Sequence, residues 1–203
     1  MRDEKRPDLI LASTSPSRAA LLRAAGLDFK IEPADIDESA IKERCRLANA
    51  TVSETALLLS LEKARKISEL RPKAFVIGSD QMLECDGKWL DKPSDVTAAA
   101  ETLRTLRGRT HRLITCVSVL YEAVEIWSHT ETAVLTMRRF SDDFLARYIE
   151  TGGEKLLTSV GAYQLEGHGA QLFETIEGDY FTILGLPLLP LLAFLRAQHL
   201  IPA

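Results

Sequence analysis

The chain carries the stretch DLILASTSPSRAALL at residues 8–22. The apolar run at residues 9–12 predicts a buried strand. Ser15 suits the N-cap position of a following helix, and a proline comes next, as the first helical position favours. The backbone N–H groups of such a helix start, with the side chains of Ser13 and Arg18, are suited to a phosphate. Since most Ser-Pro helix starts are only caps, the stretch predicts a strand–turn–helix unit and leaves a phosphate site open.

The rest of the chain alternates strands and helices, which favours an α/β fold. Two long adjoining strands are expected to pair, which makes the sheet mixed rather than parallel. Thr51 and Glu54 have the spacing of a capping box. Five of the eleven glycines lie between Gly161 and Gly185, a density typical of functional loops. The expected strands lie near residues 9–12, 29–32, 74–78, 111–121 and 125–137, with a hairpin at 82–90, and the expected helices near 16–25, 51–70, 94–106, 141–152 and 187–198.

Charge and cysteine usage limit the class of protein. A net charge of −4 argues against a nucleic-acid polymer as partner, because such binding needs clustered positive charge. Cys45, Cys85 and Cys116 lack metal-ligand spacing and predict reduced thiols. The charged N-terminus lacks the apolar core of a signal peptide, and the apolar stretch at 183–195 is too short to span a bilayer. A cytoplasmic protein with no membrane partner is therefore expected.

Acidic residues supply the first candidates for chemistry. Asp80 follows the strand predicted at 74–78, at the carboxyl end where α/β proteins bind ligands. It could hold a metal or accept a proton from water, or it could cap its own turn. Asp37 and Glu38 follow the second strand and, with Asp80, could offer oxygen ligands to Mg²⁺. Adjacent acids in a loop are more often only solvated, so these alternatives stay open.

Lys63 is the most informative basic residue. It lies on a partly apolar helix face and there needs an anionic partner, such as a substrate phosphate or a buried carboxylate. The residues alone favour a lysine that reaches water from the edge of the apolar stripe. Lys92 precedes a proline and is expected in a loop. Arg107, Arg109 and Arg112 form a small basic cluster, for which solvation is favoured.

Eight short blocks spread over nearly the whole chain form a specific pattern. They read LASTSPSR (11–18), IDE (36–38), LEKA (61–64), GSDQ (78–81), DKP (91–93), RGRTH (107–111), GAYQLEG (161–167) and GLPL (185–188). In this order they resemble the Maf family of nucleoside triphosphate pyrophosphatases. The resemblance implies one domain over residues 1–203. It also implies an elongated, twisted mixed sheet in two lobes with a central cleft, similar to the Ham1-like inosine triphosphate pyrophosphatases.

The resemblance also implies a reaction and its residues. The expected activity cleaves the bond between the α and β phosphates of a nucleoside triphosphate, giving nucleoside monophosphate and diphosphate in a house-cleaning role. Asp80 matches the proton acceptor of the family, with Lys63 and Glu38 as further catalytic residues. Glu38 and Asp80 would hold Mg²⁺ or Mn²⁺. The residues expected to bind the substrate are Ser13, Ser15, Arg18 and Lys92.

Three positions bear on the choice of base. Ser17, Gln81 and Glu166 stand where the dTTP/UTP-hydrolysing branch has arginine, threonine and glutamine. Their surroundings resemble the 7-methyl-GTP branch, although Ser17 is not the tryptophan expected there. A carboxylate can accept two hydrogen bonds from a guanine edge and would favour the positive charge of an N7-methylated base.

Two other functions compete with the pyrophosphatase. The first is a nucleotide-binding regulator of septum formation without significant catalysis. The second, a phosphatase or kinase, is disfavoured because the chain has neither a Gly-rich phosphate-binding loop nor a dinucleotide fingerprint. The expected partner is a nucleoside triphosphate, and the resemblance allows a homodimer.

Overall fold

The computed structural model describes residues 7–202. Within that range the chain forms seven strands and seven α-helices, with 3-10 helices at Gly153–Thr158 and His168–Leu172. The strands are β1 (Leu9–Leu11), β2 (Lys30–Ile31), β3 (Phe75–Cys85), β4 (Lys88–Leu90), β5 (Thr110–Tyr121), β6 (Val124–Met137) and β7 (Phe173–Glu177). The helices are α1 (Pro16–Ala24), α2 (Glu38–Leu47), α3 (Val52–Leu70), α4 (Val96–Leu106), α5 (Asp142–Gly152), α6 (Tyr180–Ile183) and α7 (Leu188–Ala197).

The strands form one mixed sheet, as predicted. Their order is β2-β1-β3-β5-β6-β7, and β4 pairs with β3. β1 is parallel to β2 and to β3, where Leu11 lies opposite Ile77, whereas the β3–β4 and β6–β7 pairs are antiparallel. Glu122 and Ala123 link β5 to β6 with φ angles of 51° and 62°. Two consecutive positive φ angles are typical of the tight turn that joins antiparallel neighbours.

The chain divides into two compact units, which agree with the two lobes implied by the resemblance. Among the described residues, unit 1 contains 7–80, 115–131 and 185–202, and unit 2 contains Gln81–Ile114 and Thr132–Leu184. Each unit has a buried apolar cluster of its own. Ile10, Val76 and Leu120 belong to the cluster of unit 1, and Leu103, Leu135 and Leu172 to that of unit 2. A single domain over 1–203 and a central cleft stay predictions.

Local capping signals locate the helix starts correctly. Ser15 caps α1, and the capping box of Thr51 and Glu54 is fully formed at α3. Asp95 caps α4 and Ser141 caps α5. Each of these side chains accepts a hydrogen bond from a backbone N–H of the first turn that has no partner within the helix. The start of each helix is therefore a consequence of short-range sequence.

Three expectations about elements were wrong or incomplete. The strand predicted at 74–78 continues to Cys85, because it also forms the first arm of the hairpin. Helix α2 was not predicted, because only Ile41 and Cys45 of its face are buried and charged residues mask the apolar period. β7 lies inside the glycine-rich segment, and four of its five residues are exposed, so it has no buried-strand pattern.

The apolar C-terminal stretch forms α7 and packs into unit 1, as predicted. Leu188, Leu191 and Leu195 are buried, and the ring of Phe194 stacks on Trp127 at 4.9 Å between centroids. In the part of the chain that the structure describes, no helix has the length and apolar character needed to cross a membrane. The three cysteines are buried and unbridged, which confirms the expectation of reduced thiols.

Candidate active site

The turn between β1 and α1 gathers polar groups around Ser13. The Ser13 hydroxyl accepts hydrogen bonds from the Ser15 backbone N–H and from Arg18 Nη1, each at 3.2 Å. The Ser15 side chain in turn accepts the Arg18 backbone N–H at 3.4 Å. Ser13 and Arg18 are both buried, whereas Ser15 and Ser17 are partly exposed. The predicted strand–turn–helix unit is confirmed, and its internal contacts hold the Arg18 guanidinium beside the turn.

Arg18 has a second anchor that the sequence did not indicate. The Gly185 carbonyl accepts a hydrogen bond from Arg18 Nε at 2.7 Å and another from the Ser79 hydroxyl at 3.1 Å. Burial lowers the pKa of Arg18, while the charges of Asp80 and Glu38 oppose that effect. An arginine remains charged at any ordinary pH, so a fixed positive charge lies next to two carboxylates.

Lys63 joins these two carboxylates. Its ammonium lies 2.6 Å from Asp80 Oδ1 and 2.8 Å from Glu38 Oε1. The side chains of Lys63 and Asp80 are only 10% and 7% exposed, whereas that of Glu38 is 45% exposed. Lys63–Asp80 is therefore a buried ion pair, and Glu38 contacts it from the solvent side. Ser13, Arg18, Glu38, Lys63 and Asp80 all belong to unit 1.

A glycine in β3 allows the helix that carries Lys63 to approach the strand that carries Asp80. A Cβ at Gly78 would lie 2.1 Å from the Ser60 backbone carbonyl oxygen on α3 and 2.9 Å from Ala64 Cβ. Only a residue without a side chain fits there. The buried hydroxyls of Ser60 and Ser118 share a hydrogen bond of 2.6 Å in the same region. The close packing of α3 against β3 at Gly78 thus brings Lys63 within reach of Asp80.

The structure corrects several expectations drawn from single residues. Asp80 does not follow a strand but lies within β3, three residues beyond Ile77, the last β3 residue paired with β1. It does not cap its own turn, since its partner is Lys63. Lys63 does not reach water from the edge of its helix face, and the buried-carboxylate alternative holds. Asp37 caps α2 by accepting the Ala40 backbone N–H at 2.9 Å, and Glu38 begins that helix rather than lying in a loop.

The donor set suits a divalent cation that arrives with a ligand. Among residues 7–202 there is no group of three or more His, Cys, Asp or Glu side chains that could enclose a metal ion by itself. Mg²⁺ usually takes one or two protein carboxylates and completes its shell with water and phosphate oxygens. Glu38 and Asp80, near each other through Lys63, fit that mode. The charges of Arg18, Lys63, Glu38 and Asp80 sum to zero without such an ion.

The other predicted residues lie in unit 2. Gln81 directs its Nε2 to the carbonyls of Thr182 at 2.9 Å and Ile183 at 3.2 Å, so both amide hydrogens already have acceptors. Lys92 is exposed after β4, in a loop as expected, and Glu166 is exposed in the loop before the second 3-10 helix. The participation of Gln81, Lys92 and Glu166 in the site of unit 1 stays a prediction.

The small basic cluster is neutralised within unit 2. Each of its arginines forms an ion pair with an acid: Arg107 with Asp142, Arg109 with Asp86, and Arg112 with Glu84. These are half-exposed surface pairs that contribute little to stability. They also leave this cluster less available to an anionic ligand than the sequence alone indicates.

A family model described as "Maf-like protein" matches residues 8–198. The chain belongs to the Maf family. A Maf relative from Granulibacter bethesdensis, named nucleoside triphosphate pyrophosphatase, is 52% identical over 191 residues, which cover 94% of this chain and 96% of the relative. A Maf relative from Rhizobium meliloti, named 7-methyl-GTP pyrophosphatase, is 49% identical over 198 residues, covering 98% of this chain and all of the relative.

Solved structures resemble the Maf chain more distantly. A nucleoside-triphosphatase (dITP/XTP pyrophosphatase) from Mycobacterium abscessus aligns with 96% of this chain and 98% of its own, at 14% identity and a TM-score of 0.45. The sequence analysis did not predict the roles of Gly78, Ser79 and Gly185. The GSDQ block begins with Gly78 and the GLPL block with Gly185. A glycine within a strand, as at Gly78, was the signal that could have indicated the close backbone approach.

Proposed function

We propose that this Maf chain hydrolyses the bond between the α and β phosphates of a nucleoside triphosphate. Membership of the family and the names of relatives at about half identity support the activity. The observation that carries the proposal is the buried Lys63–Asp80 pair, with the half-exposed Glu38 in contact with Lys63 and Arg18 beside them. It combines the cations that a triphosphate needs with the carboxylates that a hydrolysis needs.

Arg18 and Lys63 are suited to stabilise phosphate charge. The Arg18 guanidinium is held by Ser13 and the Gly185 carbonyl, so its orientation is fixed before a ligand binds. Pre-oriented charges lower the energy of a transition state more than flexible ones, because they need not reorganise during the reaction.

Glu38 and Asp80 would hold a divalent cation such as Mg²⁺ or Mn²⁺. Such a cation would supply positive charge against the phosphates and the leaving group. The site needs such a cation because its own charges sum to zero, and a triphosphate adds about four negative charges next to two carboxylates. Lys63 and Arg18 alone cannot offset that repulsion while Lys63 is paired with Asp80 and Glu38.

Asp80 is the base in the proposed step. A carboxylate has about four lone-pair sites, and the hydrogen bond from Lys63 occupies one, which leaves room for a water molecule. The water oxygen forms a bond to the α-phosphorus as the bond to the bridging oxygen breaks. Asp80 takes the proton of the water, and the bridging oxygen leaves with the diphosphate. Arg18 and Lys63 offset the negative charge of the departing group.

The preferred base is a finer part of the proposal. Glu166, exposed in unit 2, is suited to accept two hydrogen bonds from a guanine edge and to favour a cationic 7-methylguanine. The amide hydrogens of Gln81 go to the Thr182 and Ile183 carbonyls, so Glu166 is the residue on which the proposed base preference depends. We therefore propose 7-methyl-GTP as the preferred substrate. Cytoplasmic location and a homodimer stay predictions.

A nucleotide panel tests the activity. The purified chain is incubated with Mg²⁺ and 7-methyl-GTP, dTTP, UTP, CTP or GTP, and diphosphate release is measured. We expect release from at least one nucleotide, highest with 7-methyl-GTP. Binding without release across the panel would instead identify a non-catalytic nucleotide-binding regulator, and orthophosphate as the first product would identify a phosphatase.

Asp80→Asn separates chemistry from binding. Asparagine keeps the shape of the side chain but cannot accept a proton as a carboxylate does, so diphosphate release should fall by at least about a hundredfold. Asp86→Asn is the matched control, because Asp86 is an exposed turn residue in unit 2 paired with Arg109. Turnover of Asp80→Asn within threefold of the unmodified chain would reject the assignment of Asp80 as base.

A further inference from the structure

Three buried polar rings lie at the base of the loop that carries Glu166. The imidazole of His111, in β5, shares a hydrogen bond of 2.8 Å between its Nε2 and the Tyr163 hydroxyl. Both side chains are buried, and the ring of Phe173 packs edge-on against Tyr163 at 4.9 Å. Tyr148, on α5, is buried in the same apolar cluster as Tyr163. We call His111 and Tyr163 the ring cluster; both belong to unit 2.

The Nδ1 atom of His111 is buried and has no hydrogen-bond partner among the described residues. Burial lowers the pKa of His111 to about 4, so the imidazole is neutral at pH 7. An unpaired buried polar atom costs free energy. The hydrogen bond to Tyr163 is therefore the one that the His111 ring makes among the described residues. Losing it would leave both buried ring nitrogens without a partner, which is costly.

Two glycines allow the loop backbone to pack closely against Tyr163 and Gln164. A Cβ at Gly161 would lie 2.1 Å from Tyr163 Cε1, and a Cβ at Gly169 would lie 2.3 Å from the Gln164 carbonyl oxygen. Ala162, between Gly161 and Tyr163, adopts a φ of 56°. The backbone thus bends closely around the tyrosine ring, and the positions of Tyr163 and Gln164 are linked.

The turn that follows Tyr163 presents Glu166 at the surface. The Gly167 backbone N–H donates to the Gln164 carbonyl at 3.2 Å and closes the turn that presents Glu166. Glu166 itself is exposed, three residues after the buried Tyr163.

We propose that His111 and Tyr163 are positioning residues that hold the loop so that the Glu166 carboxylate is presented to the base of the nucleotide in one orientation. The ring cluster acts through Glu166 and does not itself contact the substrate. The inference rests on the proposed function, to which it adds the part of the fold that sets base preference.

The test compares selectivity rather than stability. For each variant, kcat/KM is measured with 7-methyl-GTP and with dTTP, and their ratio is the readout. Tyr163→Phe keeps the ring and removes only the hydroxyl that meets His111. We expect the ratio to fall about fivefold, the effect of one hydrogen bond, with KM for 7-methyl-GTP rising and kcat for dTTP within twofold. Tyr180→Phe, at an exposed tyrosine of the same unit, is the matched control and should leave the ratio unchanged.

A double variant shows whether the effect passes through Glu166. Glu166→Gln should lower the ratio more than Tyr163→Phe, and adding Tyr163→Phe to it should lower the ratio no further. If the Tyr163 hydroxyl has a purely structural role, Tyr163→Phe will lower kcat/KM equally for both substrates. If it acts independently of Glu166, the fold-losses of the two single variants will multiply in the double variant. Either result overturns the inference. If Tyr163→Phe does not fold, His111→Gln removes the other partner of the same hydrogen bond and is read in the same way.

The outcomes separate this inference from the proposed function. If the unmodified chain releases no diphosphate from any nucleotide, the proposed function fails and the inference fails with it. If the unmodified chain is active but its ratio is indifferent to Glu166→Gln, or to Tyr163→Phe and His111→Gln, only the inference fails.

Discussion

Removing the Lys63 ammonium should destabilise the chain strongly, and the structure indicates by how much. In Lys63→Met the Asp80 carboxylate, 7% exposed, loses the cation 2.6 Å away. Breaking a buried pair by removal of one partner costs about 3–5 kcal/mol, because the other charge remains buried. The Glu38 contact adds less than about 1 kcal/mol, since Glu38 is 45% exposed and its charge is screened by water. We therefore expect the free energy of unfolding to fall by about 3–5 kcal/mol at pH 7.

Urea denaturation followed by circular dichroism measures this loss, and a double-mutant cycle assigns it. Asp80→Asn should cost less than Lys63→Met, because Glu38 still accompanies the ammonium. In the double variant neither charge is buried without a partner, so its loss should be at least about 2 kcal/mol smaller than the sum of the single losses. Lys66→Met, one turn further along α3 and exposed, is the control and should change stability by about 0.5 kcal/mol or less. Additive single losses would refute the buried ion pair.

Three other outcomes follow from the same contacts. Gly78→Ala should lower the urea midpoint, at a cost of about 1–3 kcal/mol or more, because its Cβ would meet the Ser60 carbonyl oxygen at 2.1 Å. In the native state the pKa of His111 is about 4, whereas in the unfolded chain it is near 6.5. Because the unfolded chain binds the proton first, the free energy of unfolding should fall as the pH drops from about 6.5 to 4, by about 3 kcal/mol over the full interval. Urea titrations across that interval should show a flatter dependence for His111→Gln. Chelation of divalent cations should abolish diphosphate release, with recovery on adding Mg²⁺ and an unchanged circular dichroism spectrum, because Glu38 and Asp80 are already paired with Lys63.

The sequence predicts those parts of the fold that short-range contacts determine. Ser15 caps α1 and Thr51 caps α3 because each hydroxyl accepts a backbone N–H only three residues away. The Asp86–Gly87 hairpin is equally local, since both residues adopt positive φ between paired strands. Charged helices without a clear apolar stripe, such as α2, and short exposed strands, such as β7, lack a comparable signal.

The site is predicted only in its residue types, because its contacts are not local. Lys63 and Asp80 are seventeen residues apart, and Arg18 and the Gly185 carbonyl are 167 residues apart. Spacing within a helix or a turn contains no information about such pairs. The order of the motif blocks identified the family, and through it the residues of unit 1 that the structure brings together. It did not indicate that Lys63 is already paired with Asp80.

This pairing constrains how a nucleotide can bind. Lys63 contacts both carboxylates in the structure, so a triphosphate that approaches the ammonium must either displace them or bring positive charge of its own. Displacement would leave Asp80 buried without a partner, at the cost expected for a broken buried pair. In the proposed reaction a divalent cation held by Glu38 and Asp80 would avoid that cost, because it would give both carboxylates a positive partner while Lys63 contacts the phosphate oxygens. The Gly78 contact keeps α3 and β3 close enough for the Lys63–Asp80 pair that stabilises the fold without a ligand.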